Sequence, residues 1–205
     1  PLESILTSPT TVAGVTYAGG FDGTQTIRLR DQSITVDGTV AAQNFVLSTD
    51  TGSITVSGTI IATAPGSNGI DTSTQVVLLE HTGATGGAIS LAASGRVDLL
   101  DGSWLSVAGQ TANDAGQGGS ISLAAGSATV TNGTVAIDPN GKVSIATGAV
   151  LDLRVEQAGR TFDGSAIAGT GGTLVLSAPQ TGSAGAPTGV QVDPVLGTID
   201  GASSI

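Results

Sequence analysis

The stretch GGAISLAASGRVDLLDGSWLSV, residues 86–107, contains the same small event three times. Two aliphatic side chains stand two positions apart, followed by small or polar residues and a glycine. The pairs are Ile89/Leu91, Val97/Leu99 and Leu105/Val107, and their first members lie eight residues apart. Period-two alternation puts both members of a pair on one face of a short strand. A helix does not fit, because apolar positions fail to recur at three and four and glycine and β-branched residues dominate. A short strand, a bend and another short strand predict a coil with three faces.

The pattern continues outward from this stretch. Further pairs follow at Ile121/Leu123, Ala128/Val130, Val135/Ile137, Val143/Ile145 and Leu151/Leu153. Upstream, QSITVDGTVAA (32–42) recurs as GSITVSGTIIA (52–62), offset by twenty, and GRVDLLDGSWLSV (95–107) is matched by GKVSIATGAVLDL (141–153). FDG stands at 21–23 and again at 162–164. Internal repetition on this scale is the signature of a solenoid. The expected fold is all-β, a parallel β-helix whose coils stack at about 4.8 Å, with about nine turns in a rod roughly 45 Å long. The rival is an antiparallel sandwich, suggested by the turn dipeptides Asp37-Gly38, Asp101-Gly102, Asn132-Gly133 and Asn140-Gly141. Sandwich strands run longer and recur more widely than these pairs do. Longer interruptions at 62–74, 109–118, 156–166 and 178–189 are rich in small and polar residues and predict corner loops. A uniform repeat needs no boundary, so residues 1–205 are expected to form one domain.

Composition agrees with thin, stackable layers. The chain has 32 glycines among 205 residues, five aromatics, no cysteine and no methionine. Its formal charge of −10 argues against nucleic acid and anionic lipid as partners, since both need clustered Lys and Arg. The acidic residues are scattered singly, as on a solvated surface. No apolar run approaches the eighteen or so residues of a membrane span. The opening PLESILTSP lacks the basic and apolar regions of a signal peptide, and the expectation is a mature piece or an excised segment.

The series GG-x-I-x-L, G-x-V-x-L, G-x-x-L, carried by residues 86–91, 95–99 and 102–105 with a partial copy opening at Gly118, resembles the repeat of filamentous haemagglutinin-type exoproteins. The run 171–205 also resembles stretches of the giant members of that family. The resemblance covers most of the chain, and similar repeats occur in autotransporter passengers. It implies a right-handed parallel β-helix, exported by two-partner secretion through an outer-membrane secretion partner and displayed at or released from a Gram-negative surface. Members of the family commonly serve as adhesins in attachment, biofilm or aggregation. The family's secretion domain carries NPNL- and NPNG-like motifs; here only Asp138-Pro139-Asn140-Gly141 stands, inside the repeat, which points to the shaft.

Little chemistry is written into the chain. His81 is the only histidine, beside Glu80, so neither a two-histidine metal site nor an obvious Ser-His-acid triad can be assembled; a strand-end histidine is the plainer reading. A polysaccharide-cleaving β-helix would need two carboxylates across the scissile bond. Asp98 and Asp101 are close in sequence, and stacking could add Asp152 or Asp138, but most of these aspartates precede glycine and serve turns. The signatures of polygalacturonases and pectate lyases are absent. AGGFDGTQT (18–26) has the flavour of a calcium-binding nonapeptide once, without repetition. No cofactor or metal is therefore expected, and no catalytic residue. Three ligand-binding candidates remain. Arg28 and Arg30 share the outward face of one strand and could grip an anionic glycan, though ion pairs with Asp31 or Asp50 explain them as well. Trp104 is outward because Leu105 and Val107 take the inward positions; it offers a flat face for a sugar, or a cover for a loop. Phe21 and Phe162 read as plugs at ends or corners of the coil. The expected function is a structural and adhesive shaft segment of an extracellular bacterial surface protein, binding a glycan or protein on host or bacterial cells. The alternatives are a polysaccharide-processing enzyme and a filament subunit that associates end to end.

Overall fold

The computed structural model describes residues 10–12, 15–17, 23–62, 86–109, 117–126, 129–131, 134–136, 141–155, 159–160, 166–167, 170–183 and 186–201. Among them the regular structure is all β, with no helix. Strands are numbered in chain order. Three parallel sheets make the framework. The first contains β3 (Thr24–Leu29), β6 (Asn44–Thr49), β9 (Ala88–Ala93), β12 (Ser120–Ala124) and β19 (Thr173–Ser177). The second contains β4 (Ile34–Val36), β7 (Ile54–Val56), β10 (Val97–Leu99) and β15 (Val143–Ile145). The third contains β5 (Thr39–Ala41), β8 (Thr59–Ile61), β11 (Trp104–Ser106), β16 (Val150–Asp152) and β22 (Thr198–Asp200).

In every sheet the strands stack in chain order, so the chain visits the first, second and third sheets in turn and then starts again. Each such visit is a rung, and the ladders reach five strands among the described residues. The sequence repeats are the registers. Ile34 pairs with Ile54 and Thr39 with Thr59, as the offset of twenty requires. Val97 pairs with Val143 and Trp104 with Val150, the match of 95–107 to 141–153. Ile89 pairs with Ile121, which pairs with Leu174.

The aliphatic pairs fill the interior. Ile89, Leu91, Val97, Leu99, Leu105, Val107, Ile121, Leu123, Val143, Ile145, Leu151 and Leu153 are all buried. They form continuous columns down the stack, such as Val40, Ile60, Leu105 and Leu151 in the third sheet. Phe45 is the one aromatic among the core residues and sits in the column Phe45, Ile89, Ile121. Thr49 is the polar exception in the core face of β6, and its hydroxyl donates to the Gln32 carbonyl at 2.7 Å. That bond removes the penalty of burying it.

The glycine pairs of the GG-x-I-x-L motif join the third sheet to the first. The amide of Gly87 donates to the Ala62 carbonyl, that of Gly119 to Val107 and that of Gly172 to Leu153, each at 2.8 Å. The third sheet is thereby pinned to the start of the next first-sheet strand. Asp37-Gly38 and Asp101-Gly102, hairpin signals by composition, instead turn the chain between the second and third sheets. In the latter the Ser103 amide donates to the Leu100 carbonyl at 3.1 Å, and Gly102 takes φ 82° at the third position of the turn.

The structure departs from the sequence reading at the pairs Ala128/Val130 and Val135/Ile137. They do not extend the coil. β13 (Thr129–Thr131) and β14 (Thr134–Ala136) pair antiparallel as a local hairpin between β12 and β15. Three further antiparallel pairs stand outside the ladders: β1 (Thr10–Val12) with β2 (Val15–Tyr17), β17 (Gly159–Arg160) with β18 (Ala166–Ile167), and β20 (Gln180–Ser183) with β21 (Ala186–Val190). Two of the expected corner loops thus contain hairpins.

The β13–β14 insertion is closed at its neck. The Gly126 amide donates to the Gly95 carbonyl at 2.9 Å, and a Cβ built on Gly141 would meet the backbone of Gly126. Joining Gly126 to Gly141 would leave Ala125-Gly126-Gly141-Lys142-Val143, the same length as Ala93-Ser94-Gly95-Arg96-Val97 one rung earlier. Excision of residues 127–140 should therefore leave the chain folded, with a free energy of unfolding in urea within about 0.5 kcal/mol of the parent. Loss of cooperative unfolding in the deletion variant would show that the hairpin is part of the ladder.

In the last rung a strap replaces the second-sheet strand. Val192 bridges Val143; the Val143 amide donates to the Gln191 carbonyl at 3.1 Å and the Asp193 amide to the Val143 carbonyl at 2.9 Å. Lys142 Nζ lies 2.7 Å from an Asp193 carboxylate oxygen. The hydrogen bond from Lys142, with help from the Ser144 hydroxyl and the Lys142 and Arg96 charges, holds the Asp193 carboxyl below its ordinary range against the opposing effect of burial. A carboxyl lowered on folding stabilises above its unfolded value and loses that contribution as pH falls through its folded value. Acidification below pH about 4 should lower the protection of the Asp193 and Val143 amides, measured against their intrinsic exchange rates, as should Asp193→Asn at neutral pH. Protection at Ile121 and Leu123 should not change. An equal loss of protection at all four amides would mean the strap has no local opening of its own.

Candidate binding surface

The interior columns are saturated with aliphatic carbon, so any recognition chemistry lies on outward positions. Those of the first sheet are mostly Thr, Ser, Ala, Asn and Val, short side chains on a flat face. Arg28 is outward on β3, as its place between Ile27 and Leu29 predicts. It makes a bidentate pair with Asp50, Nε at 2.9 and 3.2 Å from the two carboxylate oxygens and a terminal nitrogen at 2.9 Å. The hydrogen bond from Arg28 lowers the Asp50 carboxyl and raises the guanidinium. Arg28 therefore presents a neutralised pair. Arg30 is exposed, and its carbonyl accepts from the Thr51 hydroxyl at 3.0 Å.

The aspartates considered as catalytic carboxylates do not share a ladder. Asp98 belongs to the second sheet, between Thr55 and Ser144, and is held by Arg96 at 2.8 and 3.1 Å. Asp152 belongs to the third sheet and is buried; Arg154 grips it at 2.8 and 3.1 Å, and the Ser106 hydroxyl lies at 3.4 Å. Arg154 also reaches Asp200 at 3.4 Å, tying β22 to the rung before it. Both forks lie within one rung and satisfy carboxylates that the sheet has partly desolvated, while the Asp200 contact crosses to the next rung. Asp101 is exposed at its corner, with its carboxylate over Gly148 of the next rung. His81, Glu80, Asp138, Phe21 and Phe162 lie outside the described residues. Among the described residues no three His, Cys, Asp or Glu side chains converge to hold a metal ion.

Trp104 is exposed, at 47%. It stands at the start of β11, the middle strand of the third sheet, with Leu105 directed inward beside it. Its ladder neighbours are Thr59 on one side and Val150 on the other, and the column ends at Thr39 and Thr198. No loop among the described residues hides it. Sequence reasoning missed Leu100 and Leu196, which are exposed at 43% and 61% at the corner between the second and third sheets. Leu100 was legible as the third apolar residue of VDLL; the strap that carries Leu196 has no periodic signal.

Comparison with models of protein families, with curated proteins and with solved structures finds no match to this chain.

Proposed function

We propose that this chain is a shaft segment of a large secreted bacterial surface protein, a structural and adhesive rod acting in attachment or aggregation. The observation that supports the reading is the recurrence of three parallel sheets in one strand order, with the third joined to the first at the glycine pairs. The family resemblance implies a right-handed parallel β-helix, and the right-handed preference of parallel crossovers within one sheet supports that hand. Such a coil is quasi-one-dimensional and gives reach and stiffness for little sequence cost. Weak contacts along it gain strength when many copies are displayed together. The resemblance to filamentous haemagglutinin-type repeats supplies the setting: export through an outer-membrane partner and an extracellular location.

The test is binding of the purified, labelled segment to a glycan array and to intact cells. Saturable binding supports the adhesive reading, and a well-folded segment that binds neither reduces it to a spacer.

A further inference from the structure

We infer that the corner around Trp104 is a stacking platform for a neutral oligosaccharide, an inference that rests on the adhesive reading above. The platform is built by the ladder. The Trp104 amide donates to the Gly58 carbonyl at 3.0 Å, which fixes the indole on the outer face of the third sheet one rung above Thr59. Val150 lies one rung further and Thr198 two. Neighbouring rungs are about 4.8 Å apart, so one hydroxyl lies a single rung to one side of the ring and another lies two rungs to the other, beyond Val150, distances a sugar chain can span. The amide of Leu100 donates to Val56 at 2.8 Å and that of Leu196 to Ile145 at 3.2 Å, placing both leucines along the adjoining corner. Asp101, in the turn between Leu100 and Trp104, supplies an exposed carboxylate acceptor.

This combination fits a sugar better than other partners. An indole has an apolar face for the C–H side of a pyranose and a polar edge that tolerates water. A protein hot spot needs its aromatic sealed by surrounding side chains, whereas the ladder neighbours of Trp104 are no larger than Val and Thr. The charge decides between glycan classes. At −10 overall, with Asp101 at the platform and Arg28 paired to Asp50, the chain repels acidic sugars. The ligand is therefore neutral.

Trp104 is the only tryptophan, so intrinsic fluorescence reports on this corner alone. The segment is titrated with β-1,4-linked hexamers of glucose and of N-acetylglucosamine, with sialyllactose as the acidic arm. The expected result is a saturable change in emission with at least one neutral hexamer and none with sialyllactose. By calorimetry, Trp104→Ala should weaken that binding more than about tenfold without changing circular dichroism or the unfolding midpoint. No response to either hexamer, a response to sialyllactose alone, or undiminished binding by the variant overturns the inference. Cell binding separates the two failures. A wild-type segment that adheres to cells but ignores the hexamers keeps the adhesive reading and loses the platform; one that does neither loses both.

Discussion

Gly119→Ala is expected to destabilise the protein by about 3 kcal/mol, near the upper end for an overpacked interior site. The added methyl has nowhere to go. A Cβ at Gly119 would overlap the carbonyl oxygen of Gly87 in the rung below, and that oxygen is already fixed by the Ser120 amide at 3.0 Å. The contact is backbone on backbone, so no side chain can swing aside, and relief requires the two rungs to separate. Gly119 is also one of a stack: a Cβ on Gly87 would meet the Gln43 carbonyl, and one on Gly172 the Gly119 carbonyl. Gly102→Ala provides the contrast. Its Cβ would meet nothing within 4 Å, and its cost comes only from φ 82°, about 1 kcal/mol. Chemical denaturation of the two variants side by side checks the claim. A Gly119 variant no weaker than the Gly102 variant would mean that the glycine pairs serve turn flexibility and not close approach.

This contrast also marks how far the residues alone could be read. Period-two alternation named the inward side chains of β9 to β12, β15 and β16 correctly, because a slip of one residue would turn every side chain to the other face. The internal repeats went further and contained the registers, since residues offset by twenty or forty-six are the ones that pair. Several ion pairs follow from the same arithmetic: Arg96/Asp98 and Asp152/Arg154 are two apart on one strand face or its extension, and Arg28/Asp50 is one rung plus two residues. Alternation does not say which strand a strand will join. Residues 129–136 carry the same pattern as coil strands yet pair antiparallel with themselves, and only Asn132-Gly133 distinguished them. The strap was illegible for another reason. Gln191–Asp193 joins the ladder through its bridge to Val143 and the Lys142 pair, with no repeat to announce it. For the candidate surface, Trp104 was readable as outward, but the leucines beside it came from a corner and a strap, which periodicity does not describe.

Phe45→Ala should have the largest effect, a loss of about 3–5 kcal/mol, and should act unevenly along the chain. Phe45 is fully buried in β6, pairs with Gln25 below and Ile89 above, and fills the column that aliphatic side chains fill in later rungs. The rungs are single-file and packed against nearest neighbours, so the methyls of Ile89 and Ile121 cannot move down into the void without emptying their own places. In a stack of this kind stability is a sum of rung terms and neighbour terms. A cavity between the second and third rungs weakens the junction as well as the rung. Hydrogen exchange should therefore show β3 to β8 losing protection first, while β9 to β16 keep more of theirs. Phe45→Leu, which retains most of the volume and matches the branched residues above it, should recover the larger part of the loss. Uniform loss of protection across all rungs would indicate that the chain folds as one cooperative block, with the insertions binding the rungs together more tightly than the ladders alone do.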